Sequence, residues 1–336
     1  MKIVLDAMGS DKNPAPDVEG AVWAAREYGV TVILVGDETK IKAELAKHKT
    51  AGLDLPIVHA PTAIGMTEHV EAVKEKKDSS MNLGMQLVKQ KQADAFVTAG
   101  NTGAAMAAAI VGPYALGRIK GIKRPALTAA LPNPTGRTLV LDIGANADVK
   151  PEYLYQFALM GSIYAEKCMG VSNPRVGLLS NGEEEGKGPL IVRDAYALIK
   201  ANRKINFLGN AEGRDIPKGT MDVVVCDGYV GNVVIKLSES LAKTLVGFIK
   251  DEIKKRPVAV VGAALSKGAF DALKKRLDPS EVGGGILLGV DGVVIIGHGS
   301  SNSNAIKNAI RVAKEAVEGN VVPLIARGLQ ENQSTQ

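Results

Sequence analysis

Apolar positions in this chain fall into short unbroken runs, separated by longer segments in which they recur every three to four residues. The runs are Lys2–Asp6, Thr31–Gly36, Ile57–Ala60, Ala95–Ala99, Leu127–Leu131, Leu139–Asp142, Val176–Leu179, Ile205–Leu208, Val223–Cys226 and Val293–Ile296. Continuous Val/Ile/Leu runs, rather than apolar–polar alternation, predict strands of a sheet covered on both faces. The intervening periodicity predicts helices over Asp17–Tyr28, Ser80–Lys91, Thr102–Leu116, Pro151–Cys168 and Asn302–Val317. Strand–helix alternation of this kind predicts a largely parallel α/β architecture. No internal repeat or low-complexity linker divides the chain, so residues 1–329 are expected to form one domain. The polar residues 330–336 are expected to fray.

One segment breaks the alternation. From Gly231 to Ile253 the pattern is a single long helix, with Leu241, Leu245, Phe248, Ile249 and Ile253 on one face. Lys254, Lys255 and Arg256 follow, then the apolar stretch Pro257–Leu265, which contains Val258, Val260, Val261 and Leu265, then a second helical pattern through Phe270, Leu273 and Leu277. This predicts a helical hairpin, about 232–280, with an apolar tip and a basic collar. It suits packing in the core or across a dimer, and it equally suits an apolar tip inserted in a membrane with the cations on anionic headgroups.

Charge sharpens that feature. The chain carries a net +5, and between Lys250 and Arg276 eight Lys/Arg face three acids, an excess equal to that of the whole chain. An acidic partner or surface is therefore expected to dock there rather than over the molecule at large. Composition is ordinary for a globular protein, with 46% hydrophobic and 23% charged residues. Aromatics at 4% leave little for base stacking, so no nucleic-acid partner is expected. Cys168 and Cys226 give neither a disulfide framework nor a CxxC pair, which fits a reducing, cytoplasmic setting. The opening strand pattern runs at once into polar sequence, unlike a signal peptide. The uncharged stretch Ala99–Gly117 is rich in alanine, glycine and polar residues, and Pro257–Ser266 is too short to span a bilayer, so no membrane span is expected.

Six strand ends run into glycine-polar loops: Asp6–Asp11, Gly100–Ala104, Asp142–Asn146, Ser180–Gly188, Asp227–Asn232 and Gly297–Asn302. In parallel sheets the carboxyl ends of strands line the ligand crevice. Glycine lets backbone approach a ligand, and the amino end of a following helix offers free N–H groups to an anion. Thr102 and Asn302 stand where such helices begin, as caps or as phosphate donors. A tight turn explains any one of these loops; it does not explain Asn, Ser, Asp and His at so many tips.

Stronger nucleotide motifs are missing. No GxGxxG follows a strand, and Gly182–Gly188 falls one residue short of a P-loop, with Gly188 where a magnesium-binding hydroxyl belongs. Three adjacent glutamates in it would repel a polyphosphate. The four histidines, 48, 59, 69 and 298, have no zinc spacing. Cys226 reads as a small buried hydrophobe. His298, between Gly297 and Gly299 and followed by Ser300 and Ser301, is the better candidate for chemistry.

Taken together, the segments DAMGSD (Asp6–Asp11), GNTGA (Gly100–Ala104), DIGAN (Asp142–Asn146), NGEEEGKG (Asn181–Gly188), EGRDI (Glu212–Ile216), DGYVGN (Asp227–Asn232) and HGSSN (His298–Asn302) resemble the PlsX-type phosphate acyltransferases of bacterial phospholipid synthesis. The match runs in order over nearly the whole chain. One position departs from it: Ser10 stands where a second glycine is expected.

The resemblance implies a layered, Rossmann-like, largely parallel sheet, similar to the isocitrate/isopropylmalate dehydrogenase-like fold, with the hairpin protruding. It implies transfer of a long-chain fatty acyl group from acyl carrier protein to inorganic phosphate. The acyl phosphate then serves phosphatidic acid synthesis through a membrane acyltransferase. It also implies a homodimer, and no metal or organic cofactor. Phosphate attacks the thioester directly, so the protein must hold a dianion and stabilise a tetrahedral oxyanion. Gly9, Ser10, Asn101, Thr102, Gly103 and Gly182 are the expected phosphate-binding positions. Lys187, Asn232, His298 and Ser300 are the expected catalytic residues, with Glu183 or Asp227 orienting them. Lys254, Lys255, Arg256, Val258, Val260, Val261 and Leu265 are the expected contacts with a membrane or the carrier protein. Three rival readings share the phosphate loops: a coenzyme A-dependent phosphate acetyl- or butyryltransferase, an isocitrate-type dehydrogenase, and a non-catalytic phosphometabolite-binding protein. The dehydrogenase requires metal-binding aspartates and a nucleotide site.

Overall fold

The structure is a computed structural model that describes residues 1–333; positions 334–336 of the expected tail lie outside the described residues. The first half runs β1 (Lys2–Asp6), α1 (Ala15–Tyr28), β2 (Thr31–Gly36), α2 (Glu38–Leu45), β3 (Ile57–His59), α3 (Ala72–Glu75), α4 (Ser80–Lys89), β4 (Ala95–Thr98) and α5 (Thr102–Ile110). Then come β5 (Ala126–Asn133), β6 (Gly136–Leu141), α6 (Pro151–Cys168), β7 (Val176–Leu179), α7 (Leu190–Ala201), β8 (Phe207–Ala211), α8 (Asp215–Lys218) and β9 (Val223–Val225). The chain continues through α9 (Gly228–Lys254), α10 (Pro257–Leu265), α11 (Lys267–Leu277), β10 (Gly285–Leu288), β11 (Val293–Ile296), α12 (Ser303–Glu318) and α13 (Val321–Gln333).

All the strands join one 11-stranded sheet in the order β3-β2-β1-β4-β11-β10-β5-β6-β9-β7-β8. Alternate residues of each strand enter opposite layers. Ile3 and Leu5 pack with α1 and α12 residues, whereas Val4, Phe96 and Val294 pack on the other face with the alanines of α5. Both faces being covered accounts for the unbroken apolar runs.

Strand direction reorganises the six loops. β3, β2, β1, β4 and β11 are mutually parallel, as are β6, β9, β7 and β8. Between the two blocks lie three antiparallel pairings, β11–β10, β10–β5 and β5–β6. An odd number of reversals sets the blocks in opposite directions, so their carboxyl ends emerge at opposite edges of the sheet. The expected single crevice of six loops is therefore two groups of loops.

Other departures have local causes. α5 stops at Ile110 rather than Leu116, because Pro113 cannot continue it and Gly112 precedes it. β8 begins two residues later than expected. α13 extends through Gln333, into the segment expected to be a frayed tail. The apolar tip forms a helix of its own, since Arg256 is extended and Pro257 takes the first helical position of α10. Only Gly228 and Gly231 of α9 are buried, and no residue of α10 or α11 is. None of the described helices is long and apolar enough to cross a membrane.

Candidate functional site

At the first edge, the ends of β1, β4 and β11 are adjacent because their strands are. The Asp11 N–H donates to the Gly299 carbonyl at 2.8 Å, and the Gly297 N–H to that of Thr98 at 2.7 Å. A Cβ on Gly9 would lie 2.9 Å from both the Gly100 nitrogen and the Thr98 hydroxyl, so only glycine permits the first two loops to touch. Asp6 anchors them from below: it accepts from Thr98 Oγ1 at 2.8 Å and from the Met8 N–H at 3.1 Å. Burial pushes the Asp6 carboxyl up, against the hydrogen bonds from Ser80, Thr98 and Met8.

Two helices begin here. Asn101 caps α5, accepting from the Ala104 N–H at 3.0 Å, and Asn302 caps α12, accepting from the Ala305 N–H at 2.9 Å. Their first amides have no intrahelical acceptor, and both macrodipoles favour an anion at this edge. Beside them, the exposed His298 takes the Ser300 N–H at 3.2 Å on Nδ1, with Ser300 Oγ 2.8 Å from the same nitrogen. In the neutral ring this contact makes Nδ1 the acceptor and leaves the proton on Nε2. His298 is thus set as an outward-facing N–H donor.

At the second edge the hub is Asp142. Its carboxylate accepts from the N–H groups of Leu127, Gly144, Ala145 and Asn146 at 2.7–3.1 Å, and from Asn146 Nδ2 at 2.8 Å. Burial raises its pKa and these donors oppose the rise. The amino end of α9 packs directly on this loop, with the Gly228 N–H donating to the Asn146 carbonyl at 2.7 Å. Asn232 lies one turn further along, half-buried.

The structure thus brings Gly9, Ser10, Asn101, Thr102, Gly103, His298 and Ser300 together at the first edge. Gly182, Glu183, Lys187, Asp227 and Asn232 stand at the second. α5 bridges the two, and its nine residues span about 14 Å at 1.5 Å per residue.

Several expected roles change on contact detail. The buried Ser10 hydroxyl donates to Asp17 at 2.5 Å and faces away from the loop tip. The Asn101 side chain is fully used, because Nδ2 donates to the Met66 and Glu68 carbonyls. Thr102 and Gly103 therefore remain as donors there. Glu183 pairs with Arg214 at 2.9 Å, and Asp227 caps α9 through the Val230 N–H at 2.8 Å. Neither orients Lys187, which is exposed. In the collar, Lys255 and Arg256 both pair with Glu252, at 2.7 and 3.1 Å, so Lys254 is the least neutralised of its three cations. Cys226 is buried, donates to the Asp142 carbonyl at 3.4 Å, and has its thiol pushed well up by burial, so it is no nucleophile.

Sequence reasoning missed Thr98 and Asp17, the polar supports of the first edge. Thr98 was visible as a hydroxyl ending an apolar strand just before GNTGA. Asp17, in the first turn of α1, reads as an ordinary helix-start acid until its burial is known.

A family model described as "Fatty acid synthesis protein" matches residues 1–324. A phosphate acyltransferase of Geotalea uraniireducens is 52% identical over 99% of this chain and 95% of its own length; one of Pelotomaculum thermopropionicum is 51% identical over 98% and 95%. Among solved structures, the EutD phosphotransacetylase from Staphylococcus aureus superposes with a TM-score of 0.60 at 16% identity, covering 94% of each chain. A branched-chain phosphotransacylase from Enterococcus faecalis gives 0.59 at 15%, covering 94% of this chain and 99% of its own. The structural likeness establishes a shared layered α/β fold, and the sequence match goes further: this chain is a member of the fatty acid synthesis protein family, that of the phosphate acyltransferases.

Proposed function

We propose that the protein transfers a long-chain acyl group from acyl carrier protein to inorganic phosphate. The observation that carries the site assignment is the convergence of the β1, β4 and β11 loops with the amino ends of α5 and α12. Phosphate seats there on the free amides of Thr102 and Gly103 and of the first turn of α12. A phosphate oxygen attacks the thioester carbonyl, and a tetrahedral oxyanion forms. That attack makes the new C–O bond; collapse of the oxyanion restores the carbonyl, breaks the C–S bond and releases a thiolate that takes up one proton. The Nε2–H of His298 stabilises the oxyanion or supplies that proton, and no residue of the protein becomes acylated.

The long-chain reading accounts for the protrusion. Leu237, Leu241, Leu245 and Phe248 on α9, and Val258, Val261 and Leu265 on α10, are all at least half exposed. A lone soluble chain rarely leaves so much contiguous apolar surface uncovered. On this reading the α9 row packs against a second copy, while α10 touches a membrane from the cytoplasmic side. The product then passes to a membrane acyltransferase. Val261→Asp is expected to abolish co-sedimentation with anionic vesicles; sedimentation equal to wild type would remove the lipid role.

The reaction itself is tested by incubating the protein with palmitoyl-acyl carrier protein and phosphate, and trapping acyl phosphate with hydroxylamine. Turnover is expected, falling about 100-fold in His298→Ala, with Lys187→Ala close to wild type. Reaction with acetyl-coenzyme A alone would favour the short-chain transferase instead. Binding of phosphate without turnover would make the protein a sensor.

A further inference from the structure

A cavity of about 480 Å³ opens at the second edge, between the carboxyl end of α5 and the start of β5. Its lining divides by chemistry. Ile110, Val111, Pro125 and the Tyr153 ring form an apolar wall, and Arg118, Lys123 and Arg124 bring three cations. No carboxylate lines it, and among the described residues none of the three cations is in an ion pair.

The cationic loop is held in place. The Arg118 guanidinium donates to the Lys123 carbonyl. The buried Gln156 accepts from the Lys123 N–H at 2.8 Å and donates to the Gly121 carbonyl at 2.9 Å. Asn146 ties the cavity wall to the Asp142 hub by donating to the Pro125 carbonyl at 2.7 Å. The Arg118 guanidinium and the Lys123 backbone are thereby held, and three like charges lining one space favour an anion there.

The cavity also has a path leading from it. Along α5, Met106, Ala107 and Ile110 are only partly buried, and Ile143 and Ala145 flank the same cluster. This apolar track leads from the cavity to Thr102 and Gly103 at the first edge, about 14 Å away by helix rise.

We propose that the cavity seats the phosphodiester of a pantetheine-borne acyl donor, with the pantetheine arm laid along α5 and its thioester delivered to the first edge. The proposal rests on the acyl-transfer reading above. A pantetheine arm is comparable in length to four or five extended residues, roughly 15 Å, which matches the separation of the edges. Inorganic phosphate alone would leave the apolar wall and most of the volume unused. The arrangement also gives the two opposed edges a joint purpose: one holds the anionic anchor of the donor and the other holds the acceptor.

Calorimetric titration of the full-length protein with 4′-phosphopantetheine tests this. Wild type is expected to bind it, and Lys123→Ala/Arg124→Ala to bind at least about tenfold more weakly, because two charge-assisted contacts are lost. Both side chains are exposed, so folding is not at risk. Pantetheine without its phosphate is expected to bind both proteins weakly and alike. Equal affinity of the two proteins for phosphopantetheine, or equal affinity of wild type for the two ligands, would overturn the proposal. Dodecyl phosphate binding that alone is lost in the variant would also overturn it, reassigning the cavity to an acyl phosphate. Turnover separates this idea from the one it rests on. A raised KM for acyl carrier protein with an unchanged KM for phosphate supports the cavity. Absence of acyl phosphate in wild type with the binding pattern intact sinks the reaction and leaves the cavity standing.

Discussion

Gly231→Ala is expected to destabilise the protein by about 3–5 kcal/mol, at the upper end for a single methyl group. An added Cβ would penetrate the Asp142 carbonyl oxygen and lie 2.8 Å from the carbonyl carbon and 3.0 Å from Cys226 Sγ. Both neighbours are fixed. Asp142 is locked by the donors to its carboxylate, and Cys226 is set by the β9 backbone, its N–H paired with the Leu141 carbonyl at 2.5 Å. Relief requires α9 to lift from the loop, which breaks the Gly228–Asn146 hydrogen bond and loosens the whole second edge. A melting temperature lower by roughly 6–20 °C is the readout, taking about 2–4 °C per kcal/mol for larger domains. Gly247 in the same helix is the internal control. Nothing lies within 4 Å of its added Cβ, so Gly247→Ala should stabilise α9 by about 0.5–1 kcal/mol through backbone entropy and helix propensity. Equal effects at the two positions would refute close packing of α9 on the Asp142 loop.

The sheet was largely legible because burial on both faces writes itself as continuous apolar runs. β1, β2, β7 and β11 start and end where those runs do. What stayed hidden was β10, four residues behind Gly283 and Gly284, whose apolar run is too short and too glycine-rich to stand out. That one strand supplies two of the three antiparallel pairings, so missing it merged two edges into one crevice. The loops themselves were legible by residue type, and His298, Thr102 and Gly103 stand together at the first edge. Partner choice within loops was not: local sequence cannot say that Ser10 turns inward to Asp17, or that Asn101 is consumed by the backbone at Met66 and Glu68. The cations of the α5–β5 loop escaped notice because Arg118, Lys120, Lys123 and Arg124 read as an ordinary solvated run until a cavity is found beneath them.

Asp17 carries the second large effect, and its sign depends on pH. The carboxyl is fully buried; Oδ2 accepts from Ser10 and Oδ1 finds no hydrogen-bond partner among the described residues. Burial, with the nearby Asp6 charge adding to it, pushes its pKa from 3.8 up to about 8, against the Ser10 hydrogen bond. Below pH 3.8 both folded and unfolded chains hold the proton, and the contribution to stability is fully present. Between 3.8 and about 8 the unfolded chain gives up the proton while the native state keeps it, so stability falls as pH rises. Above about 8 both states are ionised and the loss is complete. At about 1.4 kcal/mol per pH unit the full loss is on the order of 6 kcal/mol, and relaxation around the charge reduces it to a few. The amide side chain introduced by Asp17→Asn has the same shape, still accepts from Ser10, and never titrates. The variant's stability relative to wild type should therefore climb steadily between about pH 4 and pH 8, by a few kcal/mol in urea denaturation, and level off above. Asp6 titrates in both proteins, so the comparison removes most of its contribution. A stability difference that stays constant across that range would mean that native Asp17 gives up its proton as readily as an exposed carboxyl. The Ser10 hydroxyl would then face a full negative charge, and the first edge would carry a buried anion directly behind the loop proposed to hold phosphate.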